Sequence, residues 1–77
     1  MSLRDRARIH NALVTRFWKL FEESGMTKTQ FSERSGIDLG NLAKYLDDDR
    51  EPGLYFIALM ARGLGRKIKD LVDFEED

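Results

Sequence analysis

Between Asp5 and Ser24 the chain contains neither glycine nor proline, and Ala7, Leu13, Val14, Phe17, Leu20 and Phe21 fall on one stripe at steps of three and four. That period predicts a long amphipathic first helix. Gly25 stands where a left-handed residue would close it. Thr27 is placed to cap a second, short helix from Lys28 to Arg34 or Ser35, because its hydroxyl can accept a bond from an unpaired N–H of the first turn. Gly36 suits a sharp left-handed turn, Ile37 an inward anchor, and Asp38 the cap of a third helix over Leu39 to Leu46. Asp47 to Glu51 reads as a polar loop. Pro52 suits the first turn of a fourth helix that continues to about Leu64, with Gly63 and Gly65 marking its end. A last helix is predicted from Ile68 to Val72, and the acidic tail 73–77 is expected to fray. There is no strand-like alternation and no repeat, so the expected class is all-α, with five helices in one compact domain spanning residues 1–77.

Size and composition narrow the picture. A chain of 77 residues buries a modest share of its unfolded surface, so its core has to be economical. The absence of cysteine excludes a disulfide framework and thiolate metal sites. No apolar run approaches the roughly 20 residues of a membrane span, and the first residues lack the apolar stretch of a secretory signal, so no membrane association and a cytoplasmic location are expected. The net charge of −1 conceals an asymmetry. Residues 1–20 carry a net +4, residues 21–46 a net −1 and residues 47–77 a net −4. No basic field covers the whole domain, as a nucleic-acid binder commonly shows.

The informative unit is 27–46: a capped short helix, a glycine turn and a second capped short helix, at the spacing of a helix-turn-helix. Phe31, Ser35, Ile37, Leu42 and Tyr45 fall where inward residues are needed, and the small Ser32 permits a close helix approach. The run Met26-Thr27-Lys28-Thr29-Gln30-Phe31-Ser32-Glu33-Arg34-Ser35-Gly36-Ile37-Asp38 resembles the Cro and C1 repressor family of helix-turn-helix transcriptional regulators. Arg50-Glu51-Pro52-Gly53-Leu54, Ile57, Met60-Ala61 and Leu64-Gly65 extend the resemblance over about residues 13–72.

The resemblance implies a five-helix, lambda-repressor-like DNA-binding domain with a long first helix. It also implies that the third helix enters the major groove of double-stranded DNA while the second is anchored on phosphates. Leu39, Gly40, Asn41 and Lys44 then form the base-reading edge, with Asn41 suited to adenine, Lys44 to guanine and Leu39 to a thymine methyl. Thr27, Lys28 and Gln30, at a helix N-terminus, are the expected phosphate contacts, with Arg50 and, more weakly, Arg34. Lys28 stands where the family usually has glutamine. Phe21 and Leu46 replace an arginine and a glutamate that often pair in the family, and are expected to touch as an apolar substitute for that ion pair.

Tyr55, Phe56 and Leu59 give the fourth helix an apolar surface beyond the core-facing Leu54, Ile57, Met60 and Leu64. Such a helix must be covered, either by its own chain or in a symmetric homodimer through Tyr55, Phe56, Leu59, Val72 and Phe74. Trp18 is expected in the core or an interface, His10 on the surface, and Arg4, Arg6, Arg8, Arg16 and Lys19 on a solvated helix face. The aspartates at 47–49 lack the glycine and closing glutamate of a calcium loop. No nucleophile has a base and an orienting group, so neither an enzymatic activity nor a cofactor is expected. The expected function is sequence-specific DNA binding in transcription regulation, with a protein-interaction or antitoxin-like module on the same fold as the alternative.

Overall fold

A computed structural model of the chain describes residues 3–47 and 52–72, and five helices follow one another among them: α1 (Leu3–Ser24), α2 (Lys28–Ser35), α3 (Leu39–Asp47), α4 (Leu54–Leu64) and α5 (Ile68–Val72). The class is all-α. No helix among the described residues is long and apolar enough to cross a membrane. The predicted elements are all present, α1 starting earlier and α3 ending one residue later, at Asp47, differences within the range over which helix ends fray. Pro52 is a correction: Gly53 is the extended N-cap of α4, with φ −72° and ψ 171°, so the proline precedes the helix instead of opening its first turn.

One core unites all five helices. Leu13, Phe17 and Leu20 from α1 meet Phe31 of α2, Leu42 and Leu46 of α3, Met60, Ala61 and Leu64 of α4, and Leu71 of α5, with Ile37 from the intervening turn. Phe17 and Phe31 are both fully buried and meet edge to face, 5.3 Å between centroids at 77°. Phe21 packs against the core that contains Leu46, and its ring neighbours are Phe17, Trp18 and Phe31.

The most extensive helix pairing is α2 against α4, and Gly63 makes it possible. A Cβ at Gly63 would lie 2.6 Å from both Phe31 Cε1 and Ser35 Cβ, well inside carbon–carbon contact distance. Gly63 is therefore a close-approach residue within α4, not a marker of its end. Gly65 alone ends the helix, in the left-handed region at φ 70°, and the N–H of Arg66 donates to Ala61 O (2.9 Å) while that of Gly65 donates to Arg62 O (3.1 Å). This is a Schellman closure, which satisfies carbonyls that would otherwise lack partners. Across the same pairing the Arg62 guanidinium donates to Ser35 O at 2.8 Å, meeting the negative end of α2.

Three further expectations are corrected. Leu54 is 71% exposed instead of core-facing, because it sits at the very start of α4, before the stripe that contacts the core. Arg16 does not belong to a solvated face: half-buried, it donates from Nε to Asp70 O at 2.7 Å and ties α1 to α5. His10 is half-buried rather than on the surface, and its Nε2 is buried without a hydrogen-bond partner.

Candidate nucleic-acid interface

The α2–α3 unit is built from local hydrogen bonds that the sequence specifies residue by residue. At the start of α2, Thr27 is extended, the Gln30 N–H donates to Thr27 Oγ1 (3.1 Å) and the Thr27 N–H donates to Gln30 Oε1 (2.9 Å). This reciprocal capping box fixes where α2 begins. It also commits both residues to each other: the Gln30 carbonyl oxygen and the N–H groups of Thr27 and Gln30 are taken, while the N–H groups of Lys28 and Thr29 fall in the first turn, where a helix offers no internal acceptor.

At the other end of α2, Gly36 takes φ 80° and donates to Ser32 O at 2.9 Å. The Ser32 hydroxyl donates to Ile37 O (2.7 Å), and the buried Ile37 N–H donates to Ser35 Oγ (3.0 Å). The turn is thus closed from both sides by small hydroxyl side chains, which explains why Ser35 is fully buried and yet satisfied. Asp38 then starts α3, its Oδ2 accepting from the N–H groups of Gly40 (3.1 Å) and Asn41 (3.4 Å).

Within α3, Leu42 and Leu46 are buried and Tyr45 is half-buried, while Leu39, Gly40, Asn41, Ala43, Lys44 and Asp47 are exposed. All four residues expected to read bases are therefore accessible, and the 39% exposure of Leu39 shows that its side chain is not absorbed by the core. At about 100° per residue, Gly40, Lys44 and Asp47 form the strip most directly opposite Leu42. Asn41 lies to one side, where it lines an open cleft with Asp38, Tyr45 and Phe56. Ala43 joins this surface without having been singled out in the sequence, though the helical period places it away from Leu42; Asp47, expected in the loop, joins it because α3 runs one residue further.

The phosphate candidates are dispersed. Thr27, Lys28 and Gln30 share the first turn of α2 and are exposed. The Lys28 Nζ stands 5.7 Å from the centre of the Trp18 ring, within cation–π range. Arg34 is at the opposite end of α2, with Nη2 beside the backbone of Gly65, 3.2 Å from where a Cβ would stand. It is not brought together with Lys28. Arg50 lies outside the described residues, as do Asp48 and Asp49.

The residues expected at a dimer interface divide. Tyr55 (78% exposed) and Val72 (44% exposed) are open, and Leu54 joins them. Phe56 is instead half-buried, stacked on Tyr45 with centroids 4.1 Å apart, and Leu59 packs against the core. For these two the covering of α4 comes from its own chain. Phe74 lies outside the described residues. No protein-family model, no curated protein and no solved structure matches the chain.

Proposed function

We propose that this chain binds double-stranded DNA in a sequence-specific manner, as a homodimeric transcriptional regulator with a lambda-repressor-like arrangement of its helices. The observation that carries the reading is the exposed edge of α3, Leu39 to Lys44, held at a fixed angle to a capped α2 by a three-residue turn. Asn41 has the paired donor and acceptor that match adenine, Lys44 donates to the acceptors of guanine, and Leu39 offers apolar contact to a thymine methyl. Lys28 in the first turn of α2 supplies a charge for the phosphate backbone.

Titration of labelled duplex DNA at low and moderate salt tests this reading, because phosphate neutralisation makes affinity fall with salt. Lys44→Ala should erase preference among duplex sequences, whereas Lys28→Ala should weaken all duplexes alike and reduce the salt slope by about 0.9 per bound copy, about 1.8 for the dimer. Indistinguishable behaviour of the two variants refutes the assignment of α3 as the reading helix. The exposed Leu54 and Tyr55 favour a second reading, a protein-interaction module of antitoxin-like kind. Absence of duplex binding at low salt, in a protein that stays monomeric, selects it.

A further inference from the structure

The Lys28 ammonium faces an aromatic ring contributed by a different helix. Trp18 is the single tryptophan of the chain and sits on α1, 36% exposed. Its indole is held on two sides by edge contacts, with Phe17 at 5.1 Å and 73° and with Phe21 at 5.5 Å and 90°. Phe17 is fully buried, so the ring is fastened to the core and does not follow the lysine when the lysine moves. Lys28 is exposed, and a free lysine stem populates many rotamers. With Nζ 5.7 Å from the ring centre, the negative face of the indole selects one region of that rotamer space.

A ring differs from a carboxylate in what it leaves behind. A carboxylate would neutralise the ammonium and occupy its donors, whereas a ring face takes no hydrogen bond from it in the ordinary sense and leaves the full charge and the solvent-side donors available. The arrangement holds a cation in place without spending its capacity for an anion.

We propose that Trp18 is a positioning residue for DNA binding, acting through Lys28 by holding the ammonium where a backbone phosphate meets it. The proposal rests on the DNA-binding reading. Its signature is dependence on Lys28: replacing Trp18 by Met removes the ring face and should weaken duplex binding about two- to fivefold for each bound copy, the range of an exposed cation–π contact. In a Lys28→Met background the same replacement should change nothing. Trp18→Phe, with a weaker ring quadrupole, should fall between wild type and Trp18→Met.

The experiment is fluorescence anisotropy of a labelled mixed-sequence duplex at low salt, with wild type, Trp18→Met, Trp18→Phe, Lys28→Met and the combinations, each checked for folding by circular dichroism. Equal weakening in the two backgrounds shows that Trp18 acts only on stability and overturns the proposal, as does no weakening in either. Those outcomes leave the DNA reading standing. Failure of the wild-type protein to bind the duplex at all overturns both. Where Trp18→Met does not fold, Trp18→Phe in the two backgrounds decides by the same criterion.

Discussion

Replacing Gly63 by alanine sets two effects of known sign against each other. Alanine is preferred over glycine inside a helix by about 0.8–1.0 kcal/mol, so propensity alone predicts a more stable protein. Packing predicts the reverse. The new Cβ would stand 2.6 Å from Phe31 Cε1 and from Ser35 Cβ, and 2.8 Å from Phe31 Cδ1. Comfortable carbon–carbon separation is about 3.5–4.0 Å, so the α2–α4 interface has to open by roughly 1 Å. Phe31 cannot swing aside, because it is fully buried with the Phe17 and Phe21 rings against it. Opening would also stretch the 2.8 Å bond from Arg62 to Ser35 O. Overpacking of this kind costs about 1–3 kcal/mol. With contacts this short against a ring that cannot move, the upper part of that range, about 2–3 kcal/mol, applies; deducting the propensity gain, Gly63→Ala should destabilise by about 1–2 kcal/mol, a drop of roughly 4–16 °C in Tm for a domain of this size. Urea unfolding followed by far-ultraviolet circular dichroism measures it, with Gly53→Ser as a control, since nothing lies within 4 Å of that position. Phe31→Leu in the Gly63→Ala background should recover part of the loss, seen as a coupling of at least about 0.5 kcal/mol in a double-mutant cycle. A Gly63→Ala protein as stable as wild type, or more so, refutes the close-packing argument.

Gly36→Ala should cost about 1–2 kcal/mol in the same urea assay, because φ 80° forces an L-residue into the left-handed region and the Arg62 Nη2 stands 3.3 Å from the new methyl. Thr27→Ala removes the side-chain acceptor of the capping box and should lower stability by about 1 kcal/mol, with Gln30→Ala losing less; a change of under a few tenths in Thr27→Ala would show that α2 is held by packing alone. Asp38→Asn keeps a capping oxygen at α3 while removing a carboxylate from the side offered to DNA. It should leave the urea midpoint nearly unchanged and tighten low-salt duplex binding by up to about fivefold, since unit charges ~4 Å apart in water interact by about 1 kcal/mol. Replacing both Leu54 and Tyr55 by serine should leave stability within about 0.5 kcal/mol, because both are mostly exposed, yet convert a dimer to a monomer in sedimentation equilibrium. A wild-type protein that is already monomeric at high concentration would remove the dimer from the proposed function.

The α2–α3 unit was legible in the sequence because its determinants are local. Thr27, Gly36 and Asp38 each act on backbone groups within a few residues, so a cap or a left-handed turn can be recognised from the residue type in place. Helix α4 was harder for a physical reason. It is apolar over most of its circumference, and a period that does not alternate carries no direction, which is why Leu54 was expected inside and Phe56 outside. Glycine adds a second ambiguity. Gly63 and Gly65 look alike in sequence, but one is needed for the space around it and the other for its φ of 70°, and only the position of α2 separates them. The interactions of Arg16 with Asp70, Arg62 with Ser35 and Lys28 with Trp18 join different helices through long flexible stems, and no sequence period records them.

The charge balance of the chain bears on the DNA reading less than its net value implies. Charges more than about 8 Å from an exposed site are largely screened at physiological salt, so the charges close to the α2–α3 surface matter more to a duplex lying on it than the net value of the chain. Among the described residues of α2, α3 and the turn between them the balance is even: Lys28, Arg34 and Lys44 are offset by Glu33, Asp38 and Asp47, all six exposed. On the DNA reading, sequence-independent attraction per copy is then weak, and discrimination has to come from the base-reading edge of α3. The fold is consistent with such a division of labour. Burial is concentrated where α2 meets α4, while α3 is anchored by Leu42, Leu46 and one short hydrogen-bonded turn, which leaves the rest of its surface open. On the same reading, two such edges in a dimer would add their contacts, the second engagement being intramolecular. Under that proposal, weak attraction per copy combined with two reading edges favours specificity over general affinity, so near-neutrality of the domain does not conflict with the reading of a duplex.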